Sequence, residues 1–572
     1  MTNKIRLADY VMKYLKDKGV KDVFTVSGGG SIWLCDALEL SNINYVCCHH
    51  EQAVGYAVEG YARSNNKVGV ALVTTGPGGT NIMSAVSACY VDSVPTVFIS
   101  GQVYQKQTSA GTGLRQKGVQ ETNMIEIVKS NVKYAHMLTN PYEIKEVLDH
   151  AFQKCQEGRP GPCWIDIPGD IQNTYIDIKR LKSKFNKKKQ IEPISKSELK
   201  KVELVSKLIS KSKKPIFLFG HGCRISKSEK ITNLLIKNLK IPFGLTWNAS
   251  DFLDNNHSLF IGKPGTFAER GSNFIVQSSD LIIVVGSRLP FMVTGYDSRD
   301  FGRNAKIVIV DIDKNELKNN QVNSHLKINL DANLFLQRLN KVISKKSYDK
   351  LLIGNWINYC KSIRLKYPIL TSKQINQRRY VNSYYFISCF PNIFKSKYQI
   401  ITDMGLSFVG THQALKVSKG QTLYTNSGHA PMGWGLPAAI GAYFANKKIK
   451  TICFTGDGGL MMNLQELATV MHHKIPMIIF IFNNGGYLTI KQTQELGFNS
   501  RIMGANNKSG LSFPNFHKPV SLLNSILLCD FISIVRIPFS GTINKTSYYT
   551  FINYKKGNGF RPNTGYNSLN LY

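Results

Sequence analysis

Three consecutive α/β domains, each a doubly wound parallel sheet, are the fold this sequence predicts. The chain has 572 residues, more than one hydrophobic core serves, and ~150–200 residues per domain gives about three. Strand-length apolar runs alternate with helical stretches along the chain, the rhythm of parallel sheets with crossover helices. Several of those runs end in Gly, Asp or Asn, at the sheet edge where ligands bind.

The elements follow in order. Residues 1–175 open with Ala8–Lys18, whose apolar spacing predicts an amphipathic helix. Lys67–Thr74 and Thr96–Ile99 read as buried strands, with a Gly/Ala-rich helical stretch between them after Gly78. Trp164–Pro168 closes this unit as a strand ended by a proline. Residues 176–200 are basic, poor in aromatics and contain Pro193, and they read as a linker. The second unit, 201–345, has strands at Pro215–Phe219, Leu281–Val285 and Lys306–Val310, the last followed by Asp311 and Asp313. Residues 346–380 form a helical connection. The third unit, 381–572, has strands at Gln399–Thr402, Thr451–Thr455 and Met477–Phe482. No short-period repeat is visible, which argues against a solenoid.

Composition narrows the function classes. Hydrophobic residues make up 43% of the chain, as in a packed globular protein. The longest apolar runs, such as Pro476–Phe482, fall far short of the ~18 residues of a membrane span, so no membrane partner is expected. The opening MTNKIRLADY has no apolar signal segment, and a cytoplasmic protein is expected. The 11 cysteines are scattered apart from Cys47–Cys48 and form no CxxC; buried thiols are expected, not disulfides or zinc ligands. The formal charge of +35 fits either a polyanion partner or a compositional bias toward Lys, Asn and Ile. The one dense basic run, Lys179–Lys189, has one aromatic and no nucleic-acid module. It reads as a solvated linker, and no nucleic-acid partner is expected.

Two motifs carry chemistry. Gly456-Asp457-Gly458 follows TICFT, and after 24 further residues Asn483-Asn484 follows MIIFIF. In a parallel sheet both strand ends face one edge. An aspartate and an asparagine there offer hard oxygen ligands for Mg2+ or Ca2+, with carbonyls, phosphates and water completing the shell. The glycines let the backbone approach a diphosphate. A lone GDG is a common turn; the pair at this interval, each behind an apolar strand, is far more specific. The second motif, His49-His50-Glu51-Gln52, follows the strand Tyr45–Cys48 and opens an amphipathic helix, AVGYAVEGYAR. Favourable placement in the helix dipole accounts for a carboxylate there structurally.

These segments resemble the thiamine-diphosphate enzymes of the acetohydroxyacid synthase, pyruvate oxidase and pyruvate decarboxylase family. The resemblance implies a pyrimidine-binding, a middle Rossmann-like and a diphosphate-binding domain, in that order. It implies Mg2+ held by Asp457, Asn484 and the backbone carbonyl of Gly486, with Gly456 and Gly458 beside the diphosphate. Gly405 and Ser407 become further contacts, although the family's Gln-His is Leu406-Ser407 here. Glu51 becomes the glutamate at the aminopyrimidine N1′, where sharing a proton favours the 4′-imino tautomer that deprotonates the thiazolium C2. Met432, in SGHAPMGWG, becomes the bulky side chain that keeps the cofactor bent; elsewhere a methionine is ordinary core filler. Thr75-Gly76-Pro77-Gly78-Gly79 and Tyr90–Val103 look like the family's first domain nearly residue for residue, with Thr75 and Gly76 as cofactor contacts. Gln120 and Lys133 fall at substrate positions. Gly29, within Ser27–Ser31, reads as a close backbone approach to the substrate channel. A homodimer or homotetramer with the site shared across the interface is also implied.

The implied reaction is decarboxylation of a 2-keto acid, pyruvate first, with transfer of the two-carbon unit to an acceptor, as in acetolactate synthase. Departures from the synthases keep other readings open. Gln492-Thr493-Gln494 replaces their Gln-Trp-Gln, and the asparagine pair continues as Gly485-Gly486-Tyr487. In these respects the chain resembles synthase-like proteins of surface-polysaccharide gene clusters. A decarboxylase, a ketosugar-modifying carboligase and a non-catalytic subunit retaining the fold are the alternatives. Gly286-Ser287-Arg288 and Val310–Asp313 look like the family's flavin contacts, but Leu289-Pro290-Phe291 stands where the synthases have Asp-Asp-Arg. FAD binding and ordinary Rossmann-type architecture are both open. After about Lys518 the family pattern disappears: from Gly497 to Tyr572 one acidic residue, Asp530, faces eight Lys/Arg. A shifted reading frame and genuine divergence both account for this atypical tail.

Overall fold

The computed structural model describes residues 4–185, 194–343, 350–377, 381–394, 397–513, 532–538 and 551–552. Its first sheet has six parallel strands, in the order Asn44–Cys47, Asp22–Thr25, Gly69–Val73, Thr96–Gln102, Pro162–Pro168 and Tyr134–Met137. Gly69–Val73 and Thr96–Gln102 are buried throughout, as parallel strands covered on both faces must be. The chain lays down Asp22–Thr25, steps outward to Asn44–Cys47, then returns past its start to Gly69–Val73. That reversal is a topological switch point, and it opens a crevice at the C-terminal strand ends.

The other two sheets repeat the device. The middle sheet runs Phe260–Gly262, Phe243–Leu245, Pro215–Phe219, Leu281–Val285, Lys306–Asp311 and Leu326–Asn329, all parallel. Its crevice lies between Pro215–Phe219 and Leu281–Val285. The third sheet runs Thr422–Tyr424, Tyr398–Thr402, Lys450–Gly456, Met477–Asn483, Ile532–Pro538 and Phe551–Ile552. Only its last pair is antiparallel. Its crevice lies between Tyr398–Thr402 and Lys450–Gly456. The mixed α/β architecture with parallel sheets is the predicted one.

Several local expectations change. The helix Glu51–Asn65 is not amphipathic in its setting: Ala53 through Arg63 are all buried. It is clamped between the first sheet and the helix Gly435–Ala445, which is itself almost wholly buried. Glycines allow that approach. A Cβ on Gly60 would stand 2.1 Å from the Ala438 carbonyl oxygen, and one on Gly441 would stand 1.8 Å from that of Ala57. One apolar core therefore spans the first and third sheets, from Phe24 and Val46 to Ile401, Cys453 and Ile479. Two side chains make the seam polar as well as apolar. Ser64 donates to Gln399 at 2.9 Å, and Glu59 accepts from Asn426 and Trp434.

The helix Lys196–Lys211 starts inside the stretch expected as linker, because Ser195 caps it by accepting from the Glu198 amide. Residues 186–193, which hold part of the dense basic run, lie outside the described residues. The connection after them is helical over Lys350–Lys366. In the atypical tail, Ile532–Pro538 pairs parallel with Met477–Asn483 and extends the third sheet; apart from Phe551–Ile552, the rest of the tail beyond residue 518 lies outside the described residues. No helix among the described residues is long and apolar enough to cross a membrane. The ten described cysteines are free thiols.

Candidate active site

The third crevice gathers the metal motif. Asp457 opens the helix Asp457–Met462 directly after the strand Lys450–Gly456. Its carboxylate accepts from three backbone amides: Gly458 at 2.9 Å, Asn484 at 3.1 Å and Gly486 at 3.0 Å. The adjacent strand Met477–Asn483 delivers the last two, so the two motifs meet as the spacing implied. Burial raises the Asp457 carboxyl above its ordinary range, while the amide donors oppose that shift. Asn484 Oδ1 is buried and has no hydrogen-bond partner. A buried carbonyl left bare is costly; a cation beside Asp457 would satisfy it. Among the described residues no group of three His, Cys, Asp or Glu side chains could hold a metal. The donor set is one carboxylate, one amide oxygen and main-chain carbonyls, which suits a hard cation. Gly486 adopts φ +146°, and a Cβ there would stand 2.1 Å from the Ala505 carbonyl oxygen. A Cβ on Gly458 would stand 2.2 Å from the Tyr487 ring. Gly456 meets only the Phe482 carbonyl oxygen, at 4.0 Å, and leaves the edge open.

The facing lip of this crevice is Asp403–Ser407. Gly405 sits at φ +79° and turns the chain into the helix Leu406–Ala414; the Phe408 and Val409 amides donate to the Gly405 carbonyl, and the earlier amides of Leu406 and Ser407 precede the first intrahelical carbonyl. Ser407 is buried, and its hydroxyl donates back to the carbonyls of Asp403 and Met404 at 3.1 and 3.0 Å. The hydroxyl thus closes the turn, and what Gly405 and Ser407 offer at this lip is main chain. Sequence reasoning missed Asp403. It is 1% exposed, and burial pushes its carboxyl up to about 6. It accepts from the Met404 amide, the Gly433 amide and the Thr455 hydroxyl at 2.8, 3.0 and 2.9 Å. It therefore ties the lip to the strand before Asp457 and to the loop holding Met432. An acid directly after the buried strand Tyr398–Thr402 was the signal that could have found it.

Met432 is half-buried between two turns of positive φ, Ala430 at +56° and Gly433 at +81°. The loop is fastened on both sides. Asn426 Oδ1 accepts from the His429 and Ala430 amides, and Asn463 donates to the Gly433 carbonyl at 2.8 Å.

At the first crevice, Glu51 begins its helix immediately beyond the strand Asn44–Cys47. Asn81 donates to Glu51 Oε2 at 2.9 Å. The turn Thr75–Gly76 lies alongside, with Gly78 close enough that its Cβ would stand 3.6 Å from Glu51 Oε1. Gly76 has φ +58°, and a Cβ there would stand 2.2 Å from the Gln120 carbonyl oxygen. Thr75 turns its side chain inward: its hydroxyl donates to Gln102 at 2.6 Å. Gln120 is exposed and held at φ +64°, an uncommon conformation for a non-glycine residue. In the triple glycine, Gly28 and Gly30 pack against Thr74 and Thr75, while Gly29 faces open space.

Lys133 is the exception. It precedes the strand Tyr134–Met137, at the opposite edge of the sheet from Glu51. Its ammonium donates to the carbonyls of Glu157 and Arg159, and burial lowers its pKa. Within one chain those carbonyls hold Lys133 at that edge, away from Glu51.

The middle crevice holds a cavity of about 470 Å³ lined by His221, Gly222, Gly286, Ser287, Arg288 and Asp311, among others. Gly286 (φ +64°) lets the two strand-end turns touch, since a Cβ there would stand 2.8 Å from the Cys223 nitrogen. Arg159 of the first unit closes one side, donating to Glu316 at 2.6 Å and Asp313 at 3.2 Å.

Comparison with known proteins agrees with this division. Residues 5–127 match the thiamine pyrophosphate enzyme N-terminal TPP binding domain, 202–339 the central domain and 403–524 the C-terminal TPP binding domain. A probable acetolactate synthase large subunit of Methanococcus aeolicus is 32% identical over 511 residues, covering 87% of this chain and 84% of that one. The acetolactate synthase isozyme 1 large subunit of Escherichia coli is 30% identical, covering 88% and 86%. The chloroplastic acetolactate synthase of Arabidopsis thaliana is 33% identical, covering 83% and 70%.

Proposed function

This chain belongs to the thiamine pyrophosphate enzyme family, among its acetolactate synthase-like members, and from that premise we propose that it decarboxylates pyruvate and passes the two-carbon unit to a second carbonyl compound. When bound, thiamine diphosphate supplies the electron sink that lets the carboxylate leave. The chain's own residues bind, orient and move protons. Asp457, Asn484 Oδ1 and the Gly486 carbonyl hold Mg2+. The first-turn amides after Gly405 and the open edge at Gly456 receive the diphosphate. Met432 would support the bound cofactor, and Glu51 would hold a proton at the pyrimidine N1′. Gln120, exposed on its strained turn, contacts the keto acid. The active unit is a homodimer or a tetramer of such dimers. The observation that carries this reading is the bare, buried Asn484 Oδ1 beside the amide-ringed Asp457 carboxylate.

The test is product identification. Purified protein is incubated with thiamine diphosphate, Mg2+ and pyruvate, with and without added acceptors. Acetolactate from pyruvate alone is the expected product. Acetaldehyde alone would make it a decarboxylase, and no product under any condition would make it a non-catalytic subunit. A bulkier acceptor, such as a keto-sugar nucleotide, is the second reading. It is favoured by the helix Leu488–Gly497, which carries Thr493 and has no buried residue.

The middle cavity is assigned to FAD. Its 470 Å³ lies in the range of small-molecule sites, and its position at a switch point with Gly286 and Asp311 at strand ends is where dinucleotides sit. The purified protein, or protein reconstituted with FAD, is expected to show flavin absorbance after gel filtration. Its absence after reconstitution removes flavin from the cavity.

A further inference from the structure

Resting on the reading of Glu51 given above, we propose that Glu466 is a positioning residue for Glu51 and that Asn463 assists it. Glu466 opens the helix Glu466–His472 of the third unit and is 0% exposed. One of its oxygens accepts from the His49 amide at 3.0 Å and the other from the Thr469 hydroxyl at 2.7 Å. Asn463 donates to Gln52 Oε1 at 3.3 Å and to the Gly433 carbonyl at 2.8 Å. Two side chains of the third unit thus hold the residues on either side of Glu51, at positions 49 and 52. Between them, His50 Nδ1 accepts from the Gln52 amide at 3.1 Å and caps the helix. The corner has little freedom left other than the Glu51 side chain, which Asn81 holds from its own unit.

A buried carboxylate carries a desolvation cost, and replacing it with an apolar residue would usually suffice if packing were its task. Here the anion meets main-chain donors just ahead of a helix N-terminus, where negative charge is favoured. The same stretch of chain begins with Asp457 and ends at Glu466. One short segment therefore presents a metal ligand at its start and fixes the Glu51 corner at its end, across 417 residues of sequence. Proton sharing at an aromatic nitrogen requires placement within ~0.5 Å, which a free strand-to-helix corner does not provide.

The experiment compares Glu466→Ala, Glu466→Gln and Glu51→Gln. In the cofactor-free protein, amide hydrogen exchange is followed in the peptide spanning residues 45–56. With cofactor and Mg2+, kcat, KM for pyruvate and cofactor affinity are measured. Glu466→Ala is expected to speed exchange at the corner by about tenfold, the loss of a charge-assisted bond. It should lower kcat by about 10-fold to 100-fold with KM and cofactor affinity little changed. Glu466→Gln retains an oxygen for the His49 amide and should recover most of both. Should Glu466→Ala fail to fold, Asn463→Ala is read in its place, with a smaller loss of the same kind. Unchanged kcat with accelerated exchange overturns the proposal. So does a loss of kcat that parallels lost cofactor affinity, which marks a merely structural role. Normal turnover of Glu51→Gln would instead remove the reading on which the proposal rests, and the proposal with it.

Discussion

Glu51→Gln is expected to lower kcat by about 10²–10⁴-fold while Mg2+-dependent binding of thiamine diphosphate stays nearly unchanged. The amide is isosteric, so the strand-to-helix corner and its bond from Asn81 Nδ2 to the side-chain oxygen can persist. What is lost is the capacity to share a proton with the pyrimidine ring, which matters in the reaction and little in binding. Loss of kcat without loss of affinity is the signature of an interaction made at the chemical step. Titration calorimetry for affinity and a product assay for turnover check the two halves separately. Unchanged kcat would take the glutamate out of the mechanism.

Asp457→Ala is expected to act the other way, on binding first. The carboxylate is a ligand in the proposed metal site and the acceptor for the Gly458, Asn484 and Gly486 amides. Its removal leaves the bare Asn484 oxygen as the only side-chain donor in this set, and Mg2+-dependent cofactor affinity should fall by more than about 100-fold, beyond the 10–100-fold typical of losing only a residue that supports a ligand. The amides also lose their acceptor, at about 1–3 kcal/mol for each group left unpaired, so the Tm of the cofactor-free protein should drop as well. Calorimetric titrations with and without Mg2+, alongside thermal unfolding of the cofactor-free variant, separate the two effects. Retained Mg2+-dependent affinity would remove Asp457 from the metal site.

Much of this was legible along the chain. Pro215–Phe219 and Leu281–Val285 form strands with the predicted bounds, because five successive apolar residues between a charged residue and a glycine have few other ways to be buried. The interval between Asp457 and Asn484 holds one crossover and one strand, so right-handed parallel connection alone brings the two motifs to one edge. Those are local or nearest-neighbour consequences, and sequence pattern encodes them directly.

What lay beyond reach depended on partners distant in the chain. The pattern around Glu51 shows a helix but not that both its faces are covered, since its second cover is the helix Gly435–Ala445. Lys133 and Glu466 are ordinary charged residues in sequence; what holds them depends on which carbonyls and amides the tertiary fold sets against them. The order of strands within each sheet, and hence the position of the three crevices, likewise arises only when the chain reverses direction across the sheet. Sequence by itself determined the α/β class, the strands and the meeting of the Asp457 and Asn484 segments at one sheet edge, because these follow from burial periodicity and short-range geometry. Tertiary structure alone decided how Glu51 is held, which hydroxyls face inward and which edge each candidate occupies, because hydrogen bonds and packing between residues hundreds of positions apart leave no periodic trace in the chain.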